Sequence, residues 1–127
     1  METTATFSIS STGETTNQAY NGSFTVKTLL SVRDRLAIDE ERRMILGSDG
    51  QNADNMAKIF ANMISQLRIR IVKAPEFWTE AGNGIDLLDY NVLVEIFQLV
   101  VKKEEERKKE IIDQAEKART ELKSTVE

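Results

Sequence analysis

The feature that most constrains this chain is a helical pattern that fills its last third. From Asp89 to about Leu122 the sequence predicts one continuous helix, and only the first third of that helix is apolar enough to belong to a core. At about 1.5 Å per residue, roughly thirty residues reach on the order of 45 Å, well beyond the core of one small domain. Because a helix in a protein gains most of its stability from packing, the pattern predicts an assembly or partner-binding protein.

A weak apolar stripe runs along this predicted helix. Its positions alternate spacings of four and three residues, which is the heptad spacing of helices that pack together, although two central positions, Glu104 and Lys108, are charged. These two residues also form a favourable i,i+4 pair, which is typical of a solvated segment. One interpretation is a frayed, charged tail, and the other is a docking helix whose stripe is completed by another chain. The candidate partner-binding residues of the stripe are Ile111, Ala115, Ala118 and Leu122.

The composition excludes several kinds of active site. The 127 residues include no cysteine and no histidine, so the chain offers no Cys/His zinc site, no Ser-His-Asp triad and no cysteine nucleophile. The net charge of −4 gives no overall positive field for a nucleic acid. Asp86 and Asp89 resemble an acid–base pair, but carboxylates at a helix start are sufficiently explained by free N–H groups and the helix dipole. We expect a non-enzymatic protein that uses no cofactor or metal and binds no nucleic acid.

The start of the chain and its apolar segments predict a soluble protein. Glu2 stands where a signal peptide would begin with basic residues, and no apolar segment follows it. The longest apolar run, from Val92 to Val101, is interrupted by Glu95 and is too short to span a bilayer. We expect a cytoplasmic protein without a membrane partner.

The N-terminal segment, residues 1–23, is rich in serine and threonine and contains no lysine or arginine. Apolar and small polar residues alternate in ATFSIS at 5–10 and in YNGSFTVK at 20–27, which is typical of strands. Gly13 lies between the two runs and favours a turn. The segment therefore predicts a β-hairpin, and the alternative is a disordered arm.

Two shorter helices are predicted between the hairpin and the long helix. The first covers about 31–46, because Ser31 and Asp34 have the spacing of a capping box and Gly47 occupies the usual position after a helix end. The second covers about 53–73, because apolar residues recur there every three or four positions. Its last part, 67–71, also alternates with a period of two and would suit a strand, but continuity with the preceding stripe favours a helix that Pro75 ends.

The only tryptophan follows the only proline. Phe77 and Trp78 come directly after Pro75, in a position where large aromatic side chains often cover the helices before them. The alternative is an exposed anchor for a partner. Both residues are therefore candidate partner-binding residues alongside the stripe.

Together these patterns predict a mainly α fold with an N-terminal β-hairpin or arm and three helices, of which the last extends beyond the core. The expected division is a Ser/Thr-rich arm or hairpin at 1–23, a helical core domain at 24–101 and a charged helical extension at 102–127. The expected core consists of Leu36, Ile38, Ile45, Ile59, Phe60, Met63, Leu67, Val92, Leu93, Ile96 and Phe97.

Five stretches carry a resemblance to a known family: GSFTVK at 22–27, LSVRDRL at 30–36, RRMILG at 42–47, APEFW at 74–78 and GIDLLDYN at 84–91. They resemble the tail assembly chaperones and related small structural proteins of tailed bacteriophages. The resemblance spans roughly residues 20–101 and does not include the charged tail.

The resemblance implies a non-enzymatic role in phage morphogenesis. It implies that the chain binds another structural protein, most plausibly as a tail assembly chaperone in the host cytoplasm. The alternative is a permanent virion component, a head, neck or tail subunit whose N-terminal arm and C-terminal helix clasp neighbouring subunits. The partners would be phage structural proteins, and self-association into a homo-oligomer is also open.

Overall fold

The chain folds into a small antiparallel sheet covered on one face by helices. The computed structural model describes residues 2–126, in which we find three strands and four α-helices. In chain order they are β1 (Thr4–Thr12), β2 (Ala19–Lys27), α1 (Val32–Leu46), α2 (Asn55–Arg70), β3 (Ile71–Lys73), α3 (Glu76–Glu80) and α4 (Tyr90–Val126), with a 3₁₀ turn at Gly50–Asn52. The fold is therefore mixed α/β, which corrects the prediction of a mainly α fold.

The N-terminal β-hairpin is confirmed. β1 and β2 pair antiparallel along nine residues each, with Phe7 opposite Phe24. The alternation seen in the sequence separates the two faces of the hairpin, because successive side chains of a strand point in opposite directions. The outer face of β1 carries only threonine and serine. The inner face of the hairpin adds five buried side chains to the core: Phe7, Ile9, Tyr20, Phe24 and Val26.

The predicted second helix ends earlier than expected. α2 stops at Arg70, and Ile71–Lys73 forms β3, which pairs antiparallel with β2 across a bulge between Thr25 and Val26. The prediction of a helix to residue 73 was therefore wrong. The period-two alternation that we set aside is the correct signal here, because β2 offers unpaired backbone groups to a neighbouring strand, whereas Pro75 prevents the helix from continuing.

Local capping fixes the first two helices. The Ser31 side chain accepts from the Asp34 N–H while Asp34 accepts from the Ser31 N–H, so the predicted capping box is present. Gly47 follows α1 with a φ of 80° and donates its N–H to the Arg43 carbonyl. Asp54 caps α2 by accepting from the Ala57 N–H. α1 and α2 then pack against each other as a helical hairpin.

The helical part of the predicted core is largely correct. Ile38, Met63, Leu67, Val92, Leu93 and Ile96 are buried, whereas Ile45, Phe60 and Phe97 are half-buried against the core. Leu36 and Ile59 were wrongly assigned, since they are 67% and 50% exposed. They lie on helix faces that turn away from the sheet, and the apolar periodicity alone does not distinguish those faces.

An aromatic cluster joins the hairpin to the segment after Pro75. The rings of Phe7 and Phe24 stack at 5.3 Å, and Phe24 meets Trp78 edge-on at 6.0 Å. The Trp78 indole also packs against the backbone of Gly84, where a Cβ would lie 2.4 Å from the ring. Gly84 has a φ of 100°, so glycine is required there both by the backbone conformation and by the close approach.

Candidate partner-binding surface

The first part of α4 belongs to the core. Val92, Leu93, Ile96 and Val100 are buried and face the sheet and α2. They follow the three- and four-residue spacing that gives a helix one apolar face. This part fixes the direction in which the rest of α4 leaves the domain.

The charged middle of α4 is attached to the domain by its charged side chains. Glu104 forms an ion pair with Arg70 at 2.6 Å, and both side chains are mostly buried. Arg107 donates to the Thr28 hydroxyl at 3.3 Å and to the Thr4 carbonyl at 3.2 Å. The predicted ion pair of Glu104 with Lys108 is present at 3.3 Å, and positions 102, 105, 106 and 108–110 are exposed. The prediction of a solvated segment is wrong for Glu104 and Arg107, which are held against the domain. The contacts of α4 with the domain pass the predicted boundary at 101/102 and reach at least Arg107.

The last described turns of α4 lie clear of the domain. From 108 to 123 the side chains are exposed, except for that of Ile111, which is half-buried. These sixteen positions extend about 24 Å at about 1.5 Å per residue. Ala115, Ala118 and Leu122 of the predicted stripe are exposed, and so is Ile112, which the heptad pattern missed because it lies beside the stripe. Their role in binding stays a prediction.

Phe77 and Trp78 belong to the core instead of the surface. Trp78 is 1% exposed, and Phe77 is half-buried with its ring edge-on to Tyr20 at 5.1 Å and to Phe24 at 5.9 Å. The prediction that these aromatic residues pack inward is confirmed, but the rings they meet belong to the hairpin, whereas a cover over the preceding helices was expected. Trp78 as an exposed anchor was wrong, because α3 turns the indole inward against the sheet.

Asp89 is a buried polar residue that joins the hairpin to the start of α4. Its carboxylate is fully buried and accepts four hydrogen bonds from the hairpin: from the N–H groups of Thr15 (2.8 Å) and Thr16 (2.9 Å), and from the hydroxyls of Thr16 (2.6 Å) and Tyr20 (2.5 Å). Asp86 is exposed and shares none of these bonds. With its acceptor sites occupied, the Asp89 carboxylate acts as a fastening point for the hairpin, and no acid–base pair is formed.

Asn91 completes the junction between the hairpin and α4. Its side-chain oxygen accepts from the Glu14 N–H at 3.0 Å, and its amide group donates to the Thr12 carbonyl at 3.0 Å. Gly13 allows this close approach, because a Cβ at that position would lie 2.1 Å from the Asp89 carboxyl carbon. Asp89 stands directly before α4 as predicted, but its carboxylate accepts from the hairpin instead of the free N–H groups of the helix. These partners precede it by about seventy residues.

The Asp89 junction predicts a loss of stability in acid. Burial alone would raise the pKa of this carboxyl, but the hydrogen bonds from Thr16, Tyr20 and Thr15 outweigh burial and lower the pKa from 3.8 to about 2. Because the folded pKa lies below the unfolded one, the stabilisation is fully present above about pH 4 and is lost as the pH falls toward 2. Between pH 5 and about pH 2, the free energy of unfolding in urea should therefore decrease less in Asp89→Asn than in the wild type.

Asp34 provides the control for this measurement. Its hydrogen bond to Lys27 and the N–H of Ser31 also lower its pKa to about 2, so it contributes to the same pH window. In Asp34→Asn, the free energy of unfolding should no longer fall in acid through Asp34, whereas the decrease that is due to Asp89 should remain. An acid loss in Asp89→Asn as large as in the wild type would contradict the role assigned to the junction.

A second exposed apolar surface lies where α2 meets the start of α4. A groove of about 510 Å³ is lined mainly by apolar side chains, among them Phe60, Ile85, Leu88 and Tyr90. Leu88 is 72% exposed, and the ring of Phe60 meets that of Tyr90 edge-on at 4.9 Å. Phe60 was predicted as a core residue, and Ile85, Leu88 and Tyr90 were not predicted to form a surface. Ile85 and Leu88 lie just before the start of α4. Because they are outside a helix, their spacing does not predict which way their side chains point.

The part of the chain that the structure describes contains no group of His, Cys, Asp or Glu side chains able to hold a metal ion. Within that part, no helix is both long enough and apolar enough to cross a membrane. Comparisons with protein-family models, with curated proteins and with solved structures find no match for this chain.

Proposed function

We propose that this chain is a non-enzymatic assembly protein that holds another structural protein through the exposed last turns of α4. The observation that carries the proposal is the segment 108–123, which continues as helix beyond Arg107 and presents Ile112 and Leu122 to solvent. Among the described residues, the buried core cluster ends at Val100 and includes no residue of this segment. A projecting helix with apolar side chains is one of the recurring elements by which proteins bind a groove on a partner.

The energetics favour a partner for this segment. A helix of this length is marginal in water without packing, and burying a leucine or isoleucine side chain contributes about 1.5–3 kcal/mol. Leu122, Ala115 and Ala118 repeat every three or four residues and therefore lie on one side of α4. A partner that covers this side would both bury the stripe and support the helix.

The proposed setting is the tail of a tailed bacteriophage. Its support is the sequence resemblance of roughly residues 20–101, which covers most of the folded domain and excludes the projecting turns. Within that setting a transient tail assembly chaperone and a permanent virion subunit differ in one observable. Mass spectrometry of purified particles detects a permanent subunit and does not detect a chaperone that has left.

The test replaces two exposed stripe residues by aspartate in the double variant Ala115→Asp and Leu122→Asp. The variant should unfold at the wild-type urea concentration, because neither side chain contacts the domain, and it should lose its phage structural partner in an affinity purification from infected cells. Near-complete loss of the partner is expected, since two charges in an apolar interface each carry a large desolvation cost.

The matched control places the same charge change on the other side of α4. Lys109→Gln with Thr120→Asp also lowers the net charge by two, and both positions lie on the side of the helix away from the stripe. This control should retain the partner. Retention by the stripe variant as well would remove the basis for binding through α4. Truncation after Val101 is not an equivalent test, because it also deletes Glu104 and Arg107, which contact the domain.

A further inference from the structure

The outer edge of the sheet is formed by β1. The strand order is β1-β2-β3, so β1 has no neighbouring strand on one side among residues 2–126. Its nine residues include no charged residue and no proline. Edge strands of soluble proteins usually carry such residues, because they prevent pairing with another chain. β1 lacks this protection.

The hydrogen bonds at the two ends of β1 show which of its N–H and C=O groups point toward β2 and which point away from the sheet. The Thr3 carbonyl accepts from the Thr28 N–H at 2.8 Å, and the Gly13 N–H donates to the Gln18 carbonyl at 2.8 Å. Paired and outward-facing residues alternate in an antiparallel strand, so odd-numbered residues of β1 bond to β2 and even-numbered residues face outward. Thr6, Ser8 and Ser10 therefore direct their N–H and C=O groups away from the sheet.

Side chains of α4 close both ends of this edge but leave its middle open. Arg107 donates to the outward carbonyl of Thr4, and Asn91 donates to that of Thr12. The backbone groups of Thr6, Ser8 and Ser10 have no such partner in the described part of the chain. The open stretch from 6 to 10 covers five residues, or about 17 Å of strand.

We propose that this open edge binds an extended segment of another protein as a fourth strand. The three outward residues offer three N–H donors and three carbonyl acceptors at the spacing of a β-ladder, and only an extended backbone satisfies them together. The neighbouring side chains define the segment further. On the outer face of the sheet, its side chains would lie beside those of Thr6, Ser8 and Ser10, so small polar residues fit there. On the inner face, its side chains would lie beside those of Phe7 and Ile9, so apolar residues fit there.

The geometry of α4 disfavours a second copy of β1 as the occupant. Side chains of α4 reach the outward carbonyls of Thr4 and Thr12, and its apolar face packs on the inner face of the sheet, so this helix lies beneath β1 and leaves the space beside it free. Two copies of β1 paired about a two-fold axis lie about 4.8 Å apart and would bring their α4 helices to a similar separation. Packed helices need about 8–10 Å. A single extended segment brings no helix and avoids this overlap.

The proposed edge is independent of the projecting stripe. Its residues lie at 6–10, whereas the stripe lies at 111–122, and the charge changes at Ala115 and Leu122 leave β1 unaltered. Failure of one proposal therefore leaves the other intact.

The test uses an acetylated and amidated six-residue peptide of alternating threonine and valine as the probe. Amide hydrogen exchange of the full chain is followed by NMR. Without the peptide, the amides of Thr6, Ser8 and Ser10 should exchange faster than those of Phe7 and Ile9 by at least about tenfold. With millimolar peptide, exchange at the three outward amides should slow, whereas the same peptide N-methylated at alternate residues should have no effect.

Two variants at one position provide the matched comparison. Ser8→Pro removes one outward N–H without removing a bond to β2, and proline is tolerated at such edge positions. Ser8→Ala loses the same hydroxyl contact with Ser23 but keeps the N–H. Protection by the peptide should persist in Ser8→Ala and disappear in Ser8→Pro.

Three outcomes would overturn the proposal. One is that the peptide gives no protection at millimolar concentration, and another is that it protects Ser8→Pro as well as the wild type. The third is protection of Thr6, Ser8 and Ser10 that grows with protein concentration alone while sedimentation shows a dimer, because the occupant would then be a second copy of this chain.

Discussion

Replacing Trp78 by alanine should lower the free energy of unfolding by about 3–5 kcal/mol. Trp78 is among the largest fully buried side chains, and its indole is held between the ring of Phe24 and the backbone of Gly84. A domain of this kind has a total stability of about 5–15 kcal/mol, so the variant would lose a large part of it. Its unfolding is therefore measured in urea at low temperature. The wild-type fluorescence should already be blue-shifted, since the only tryptophan is shielded from water.

A half-buried aromatic residue provides the comparison. Phe97 packs against the same core but keeps part of its ring exposed, so Phe97→Ala should cost clearly less than Trp78→Ala. A loss below about 1 kcal/mol for Trp78→Ala, with wild-type fluorescence typical of exposed indole, would contradict the placement of Trp78. It would restore the interpretation of this residue as a surface anchor.

Replacing Gly84 by alanine should have the second largest effect, about 2–5 kcal/mol. Two costs contribute: the strained backbone conformation, and the crowding of the added Cβ against its neighbours. A residue with a Cβ at positive φ costs about 1–2 kcal/mol, and overfilling a packed site costs about 1–3 kcal/mol. Gly84 meets both conditions, because its φ is 100° and a Cβ would lie 2.4 Å from the Trp78 ring. The change is measured by urea unfolding of the variant and the wild type.

Gly47 provides a control that has the backbone cost without the crowding cost. It also has a positive φ, of 80°, but a Cβ there would meet nothing within 4 Å. Gly47→Ala should therefore cost only the backbone term, about 1–2 kcal/mol. Equal losses in the two variants would show that the indole moves aside without penalty, which is inconsistent with a tightly packed Trp78.

Features that depend on neighbours in the sequence were predictable. The capping box of Ser31 and Asp34, the end of α1 at Gly47 and the alternation within the hairpin all depend on residues close to each other along the chain. Their physical causes, such as a side chain reaching an N–H three residues away, are complete within a few positions. For this reason the limits of α1 and the existence of both hairpin strands followed directly.

Features that depend on distant residues were not predictable in the same way. The choice between helix and strand at Ile71 was decided by the free edge of β2, and the exposure of Leu36 and Ile59 was decided by where the sheet lies. The attachment of Glu104 required Arg70, which belongs to another element. One sequence does not show which charged residue meets which, so this segment resembled an ordinary solvated helix.

The two candidate binding surfaces differ in the same respect: one depends on local spacing, and the other depends on distant residues. The stripe with Ala115 and Leu122 was visible from spacing, because a helix beyond the core keeps its own periodicity. The open edge of β1 was not, since it depends on the strand order and on the position of α4. For Trp78 the sequence left a core cover and an exposed anchor open, because a single aromatic residue after a proline carries no sign of the direction in which it points.

The fastening of the hairpin by Asp89 has a consequence for synthesis on the ribosome. Thr15 and Tyr20 are made 74 and 69 positions before the carboxylate that receives them, and Thr4 is made 103 positions before Arg107. At about 5–20 residues per second, the nascent hairpin waits several seconds for its partner helix. During that time only segments that precede α4, such as α2 and the aromatic residues Phe77 and Trp78, are available to cover its apolar face, and the contribution of α4 is still missing. The core is thus completed last at the hairpin, which is synthesised before all of the helices that pack against it.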